Sequence, residues 1–397
     1  MEPNAGQLAP LTGLRGVAAG SVLIAHALDV AFSYSGRHYW EPSSSRLSYF
    51  GMSLFFVLSG FVISYNYTPL FQKERPGVAL WRFFVARFAR LYPLYALSIV
   101  VYGHIPSEDS LTLISYLTLT QSWLNVEMAA FAPDWSLSTE WFFYFAFAAV
   151  ALGLGPARRP LRTMLAVSVA TAATLPLLFG PLANGTTSVA HTLFWRDTTI
   201  SAEAFRWVTY YAPYTRLPEF LLGMLAARAF VLKRRLGVQW AYIGAGWCAA
   251  VVFISPITRL PGLTSMTSNF IFAPALALVM LVCCQRQNIM SRALSSAPAL
   301  FFGEISYSVY IWGWAVMWLL SNKFVSPAPT PLAFLNSTVN LILIVLVTTA
   351  FAYGSFVLIE CPARRWLRHL FAFQGVAQGS TVAATVNTAA ADSESPR

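Results

Sequence analysis

Charge is what this chain has least of. Of its 397 residues only 11% are charged and 57% are hydrophobic, whereas a soluble domain carries about 25% charged residues. That shortage excludes a water-exposed globule as the main architecture. Acidic groups are the scarcest, with 16 Asp and Glu against 26 Lys and Arg, for a formal net charge of +10. The excess forms no basic stripe or arm, which excludes nucleic acid as a partner. Cysteines are few, and Cys248, Cys283, Cys284 and Cys361 lack metal or redox spacing, so they read as small packing residues. The five histidines are scattered, and no metal is expected. The first ten residues have no basic n-region, and the first apolar run contains Arg15, His26 and Asp29. That run is therefore expected to stay as a helix rather than to be removed as a signal peptide.

What is present is a series of long apolar runs rich in aromatics, with 30 Phe, 17 Tyr and 13 Trp. A hydrocarbon core needs about 20 apolar residues per helix. On that criterion the runs are 11–30, 49–68, 82–103, 136–155, 162–181, 211–231, 238–256, 268–284, 300–321 and 334–359. The fold class is then all-α, a polytopic integral membrane bundle of about ten transmembrane helices. The stretch 111–125 is apolar but short and rich in Ser and Thr, which fits a re-entrant or interfacial segment better than a span. Lys and Arg concentrate on one side of this arrangement, as in connections that carry Arg158, Arg159, Lys233, Arg234 and Arg235, and in the segment after the last run. By the positive-inside rule both termini are cytoplasmic. Trp81, Trp123, Trp135, Trp207 and Trp240 fall near expected helix ends, as interfacial anchors should. Residues 1–370 form one transmembrane domain, and 371–397 form a small, polar tail expected to be disordered and cytoplasmic. The outward loops 104–135 and 182–210 are where a bulky acceptor could dock.

Ionisable side chains inside lipid each need a reason, because insertion alone costs about 3 kcal/mol. Arg15 and His26 are eleven residues apart, so they lie roughly 16 Å apart along one helix, about 20° from the same face. An anchoring arginine and a packing histidine are the plain readings. Their shared face favours a common cavity, where imidazole is suited to take a proton from a hydroxyl near neutral pH. Asp29 either orients that ring or marks the helix end. Arg87 and Arg90 are neighbours on one helical face, and two guanidinium forks there suit phosphate, on a ligand or on lipid head groups. Arg82 reads as an anchor. In PDWSLSTEWFFYF, Glu140 is a lone carboxylate among aromatic rings, able to pair with Arg15 or His26 or to meet a sugar hydroxyl. Ser136 and Ser138 lack the G-x-S-x-G elbow of an acyl-enzyme nucleophile.

The chain resembles the membrane-bound acyltransferase family 3, which contains bacterial O-antigen and exopolysaccharide O-acetyltransferases. The resemblance rests on LTGLRGVAAGSVLIAH, GMSLFFVLSGFVISY, RFARLYPLY, WSLSTEWFFY, GEISYSVYIWGWAV and SFVLIECPARR, in that order and over nearly the whole length. It implies transfer of an acyl group, usually acetyl, from cytoplasmic acyl-CoA to a carbohydrate hydroxyl, free or lipid-linked, at the outer side of a bacterial inner membrane. It implies His26 as the essential base, Arg15 as its motif partner, Glu140 as a required acid residue, and Arg87 and Arg90 as the donor-binding pair. Lipopolysaccharide or exopolysaccharide is the implied acceptor. One departure is Gly313, where members often carry histidine. Ser138, Arg15 or a backbone N–H are candidates for stabilising the oxyanion. Two other readings remain: a small acceptor such as a macrolide, and a transporter, since intramembrane Arg, His and Glu also mark substrate paths.

Overall fold

The computed structural model describes residues 5–34, 37–38, 43–102, 110–124, 134–183, 207–253, 270–321 and 331–370. Most of the outward loop 182–210 and about half of 104–135 fall outside these residues, and the tail at 371–397 wholly so. Among the described residues the chain is helical apart from one minimal antiparallel pair, β1 (Ser33–Tyr34) against β2 (Arg37–His38). Helix is what an apolar surrounding demands, because it satisfies every backbone group within one segment.

The helices in chain order are α1 (Ala5–Ala31), α2 (Ser43–Lys73), α3 (Pro76–Tyr102), the short α4 (Ser110–Leu117) and α5 (Gln121–Leu124), then α6 (Trp135–Gly153), α7 (Pro160–Ala183) and α8 (Leu217–Val231). They continue with α9 (Gln239–Phe253), α10 (Ala273–Gln285), α11 (Ile289–Leu294), α12 (Ala297–Glu304), α13 (Ser306–Ser321), α14 (Pro331–Ser355) and α15 (Cys361–Leu370). Among the described residues, five stretches are long and apolar enough to cross a membrane: Gln7–Ala31, Ser45–Lys73, Pro76–Val101, Trp135–Gly153 and Leu335–Leu367. Helix occurs at all ten expected places, but elsewhere it is shorter or interrupted. The segment expected at 211–231 begins with a π-turn (Trp207–Tyr211) and a 3-10 turn (Pro213–Arg216) before α8. The one expected at 300–321 breaks at Ile305, where Ser306 Oγ donates back to the Gly303 carbonyl at 2.8 Å.

The stretch 111–125 is two short helices joined through Leu119, whose φ of 57° turns the chain. Neither is long enough to span. Tyr95 donates to the Tyr116 carbonyl (2.7 Å), Tyr92 to that of Leu117 (3.0 Å) and Ser122 Oγ to that of Trp135 (2.7 Å). Protein groups thereby satisfy this irregular backbone.

Small residues bring the central helices together, as membrane packing requires. A Cβ on Gly303 would lie 1.9 Å from the Thr12 carbonyl oxygen, and one on Gly13 would lie 2.0 Å from that of Leu294. The turn of α1 around Arg15 is thus pressed against α11 and α12. Across the bundle, Gly60 of α2 and Gly223 of α8 each face a backbone carbonyl at 2.0 Å from such a Cβ. Leu165, Val169, Ile243, Leu346, Phe351 and Leu358 are exposed while Ser53, Ser98 and Thr348 are buried, which is the inside-out pattern of a lipid-facing surface. Trp81 and Trp240 are exposed as anchors should be. Trp135 is not. It is buried, with its ring against Phe56 and Tyr210, because the aromatic cluster between α2, α6 and α8 takes it inward.

Candidate active site

The helices alternate in direction, so residues far apart in sequence meet at the same level. Arg15 near the start of α1 lines one space with the second half of α2, the first half of α3 and the start of α13. The later part of α1, with His26, meets the start of α2 and the middle of α13. Between these levels lies a cavity of about 820 Å3, counting the open space at its mouth.

Arg15, Arg87, Arg90 and Glu140 all line this cavity. On α2 the lining residues include Met52, Phe55, Phe56, Ser59, Val62 and Ile63, the spacing of one helical face. The α3 and α6 contributions repeat at i, i+3 and i+4: Arg87, Arg90 and Leu91, then Ser136, Leu137, Glu140 and Tyr144. Ser306, Tyr307 and Tyr310 of α13 close the remaining wall.

Three guanidinium groups and one carboxylate make the lining cationic. Arg87 Nη2 donates to Tyr67 Oη at 2.7 Å, and the guanidinium sits 4.7 Å from the centre of that ring. Its Nε is buried without a partner. Among the described residues no hydrogen bond or ion pair closes on Arg15 or Arg90. Glu140 does not form the ion pair considered for it with Arg15 or His26. Its Oε1 accepts from Tyr144 Oη at 2.9 Å and from Ser59 Oγ at 3.4 Å, while the charges of Arg15 and Arg90 act on it from a greater distance. Desolvated cations left without counter-charges cost several kcal/mol each. A cavity built this way is prepared for an anion.

His26 does not line the cavity. Its Nε2 lies 3.3 Å from Ser48 Oγ, and its ring meets Trp314 edge-on at 5.7 Å. Both neighbours are informative. Ser48 is one turn before Met52 on α2, and Trp314 is one turn after Tyr310 on α13, and Met52 and Tyr310 are lining residues. The imidazole therefore sits one helical turn, about 5.4 Å of rise, beyond the end of the cavity opposite Arg87. Ser136 Oγ and Tyr310 Oη, 2.7 Å apart, are the polar groups on the way.

Sequence reasoning missed Tyr67, Tyr144, Tyr307 and Tyr310. Each lies within a quoted motif or close to one, but an isolated tyrosine in an aromatic-rich chain carries no signal of its own. Ser138 is corrected as an oxyanion candidate: it is fully buried, does not line the cavity, and its Oγ accepts from the Ser122 N–H at 3.4 Å. Arg82 does not line the cavity; it is partly exposed and paired with Glu74 at 2.9 Å. Gly313 faces Leu23 and Thr348 rather than the cavity. Asp134, just ahead of α6, is buried with Oδ1 unpartnered, and burial pushes its carboxyl up to about 7.

Residues 9–359 match the acyltransferase-3 family model, described as an acyltransferase domain. Over 163 residues the chain is 32% identical to "Acyltransferase MdmB" of Streptomyces mycarofaciens, covering 37% of this chain and 40% of that protein. Over 92 residues it is 42% identical to "Protein 2 in picA locus" of Rhizobium radiobacter, covering 23% of this chain and 41% of that protein. The chain thus spans about two fifths of the length of these relatives. No solved structure matches.

Proposed function

The chain belongs to the acyltransferase-3 family, and from that membership we propose that it moves an acyl group, acetyl in the simplest case, from acyl-CoA to a hydroxyl of a cell-surface carbohydrate. Lipopolysaccharide O-antigen or an exopolysaccharide, lipid-linked or free, is the proposed acceptor, and a bacterial cytoplasmic membrane the proposed location. One observation carries this reading: a single cavity has unpaired guanidinium groups toward one end and an imidazole one turn beyond the other.

In this mechanism Arg87 and Arg90, with Arg15, hold the phosphates of CoA, and the pantetheine arm runs along the apolar wall of Phe55, Phe56 and Leu137 toward Tyr310. His26 takes the proton of the acceptor hydroxyl at Nδ1, while Ser48 Oγ, 3.3 Å from Nε2, fixes the ring. The hydroxyl oxygen attacks the thioester carbon, the C–S bond breaks, and the proton passes to the departing CoA thiolate. Ser136 and Tyr310, rather than Ser138, are the hydroxyls suited to meet the developing oxyanion. Glu140 balances the arginine charge and orients Tyr144. Holding both substrates supplies the proximity contribution.

The test is transfer of radiolabelled acetyl from acetyl-CoA to surface glycan in membranes containing wild-type or His26→Ala protein. Loss of about 10²–10⁴-fold is expected, with unchanged insertion and CoA binding. Normal transfer by His26→Ala rejects the mechanism. Full CoA binding without any glycan change moves the acceptor to a small molecule.

A further inference from the structure

The motif SFVLIECPARR ends the last long apolar stretch, and the mechanism above leaves it unused. Its acidic residue is built in with care. Phe356–Glu360 form a π-turn between α14 and α15, the widened turn that recurs at functional sites. Trp312 Nε1 donates to Ser355 Oγ at 2.8 Å and fixes where this turn begins. Glu360 is 2% exposed. Its Oε2 accepts from Ser308 Oγ at 2.6 Å and its Oε1 from Arg364 Nη2.

An i,i+4 pair on a helix surface would be exposed and would contribute little. This pair differs in two ways. The carboxylate is buried and doubly held, and the guanidinium it holds comes within electrostatic reach of Arg15 and Arg90. The α15 helix packs against α3, which carries Arg87 and Arg90. Arg364 Nε is buried without a partner, so the fork has donors to spare. Gathering four guanidinium groups at one end of a bundle is unfavourable until something anionic lies among them.

We propose that Arg364, fixed by Glu360 and Ser308 beside the guanidinium end of the cavity rather than in its lining, is a fourth phosphate-binding group, and that the ligand there carries more than one phosphate. Glu360 and Ser308 are positioning residues for that fork. The assignment of the ligand as CoA rests on the donor reading given above; the phosphate-binding role of Arg364 does not. A charge-assisted contact to phosphate corresponds to about a tenfold to hundredfold change in affinity.

The experiment measures binding of CoA and of inorganic pyrophosphate to the detergent-purified full chain. Wild type, Arg364→Gln, Arg364→Lys and Ser308→Ala are compared. Arg364→Gln is expected to weaken CoA about tenfold or more. Lysine should recover part of the loss, because it keeps the charge but not the fork, and Ser308→Ala should lose a few-fold. Equal CoA binding by wild type and Arg364→Gln overturns the proposal and leaves the donor reading intact. Pyrophosphate binding that depends on Arg364, with no CoA binding by wild type, keeps the fourth arginine and rejects the donor. Binding of neither probe by wild type overturns both. Should Arg364→Gln fail to fold, Arg364→Lys carries the same comparison, and undiminished CoA affinity in it overturns the proposal.

Discussion

Arg216 and Arg90 are the same side chain in opposite circumstances, and Phe56 belongs to the surroundings of both. Arg216 is fully buried, ion-paired with Glu219 at 3.5 Å, bonded through Nε to the Tyr210 carbonyl at 3.1 Å, and boxed by the rings of Phe56, Trp135 and Tyr210. Arg90 faces a cavity with no such partner. A buried charge that meets its counter-charge within the fold acts on stability, and one that meets none there is placed to take up a ligand. Asp134 shows a third solution, since its buried carboxyl is raised until it holds its proton near neutral pH.

The sharpest break of that distinction is Arg216→Met. It leaves Glu219 buried and alone, and about 3–5 kcal/mol of stability should go, read as a lower melting temperature in detergent. The double variant with Glu219→Leu should recover most of it, and failure to recover would remove the pairing argument. Next comes Arg90→Gln. Its ligand-free melting should be unchanged or raised, since a like charge beside Arg87 is relieved, while CoA affinity falls by about tenfold to hundredfold. A third test uses the helix crossings. Gly303→Ala and Gly223→Ala should each cost about 1–3 kcal/mol through overpacking, but only Gly303→Ala, which displaces the Arg15 turn, should lower acyl transfer more than stability explains.

The smallest effect concerns Asp134. A carboxyl whose pKa is raised by folding binds its proton more tightly in the folded state. Its favourable share is complete below about pH 4 and is lost as pH rises toward about 7. Between about pH 6 and 7.5 this amounts to about 1 kcal/mol, so wild type should melt lower at the higher pH. Asp134→Asn should flatten that slope, and an unchanged slope assigns the dependence elsewhere.

Much of the site could be read from the chain alone, because a helical period says which residues share a face. Arg87 with Arg90, and Arg15 with its own stripe on α1, needed nothing more. What the period cannot say is which helices become neighbours. The hydroxyl partners of Glu140 come from α2 as well as α6, the burial of Trp135 comes from α2 and the Trp207–Tyr211 turn, and the offset of His26 from the lining depends on Ser48 and Trp314. A local break such as Ile305 was also hidden, since Gly303 and Ser306 act there through close packing and one side-chain bond.

The single turn between His26 and the nearest lining residues bears on wasted turnover. Under the proposed mechanism, a thioester that stops at the end of the cavity is one helical turn from the imidazole, so neither water nor an acceptor hydroxyl held there reaches its carbon until the donor advances. If it is the binding energy of an acceptor that draws the thioester across that turn, the donor is protected while no acceptor is bound.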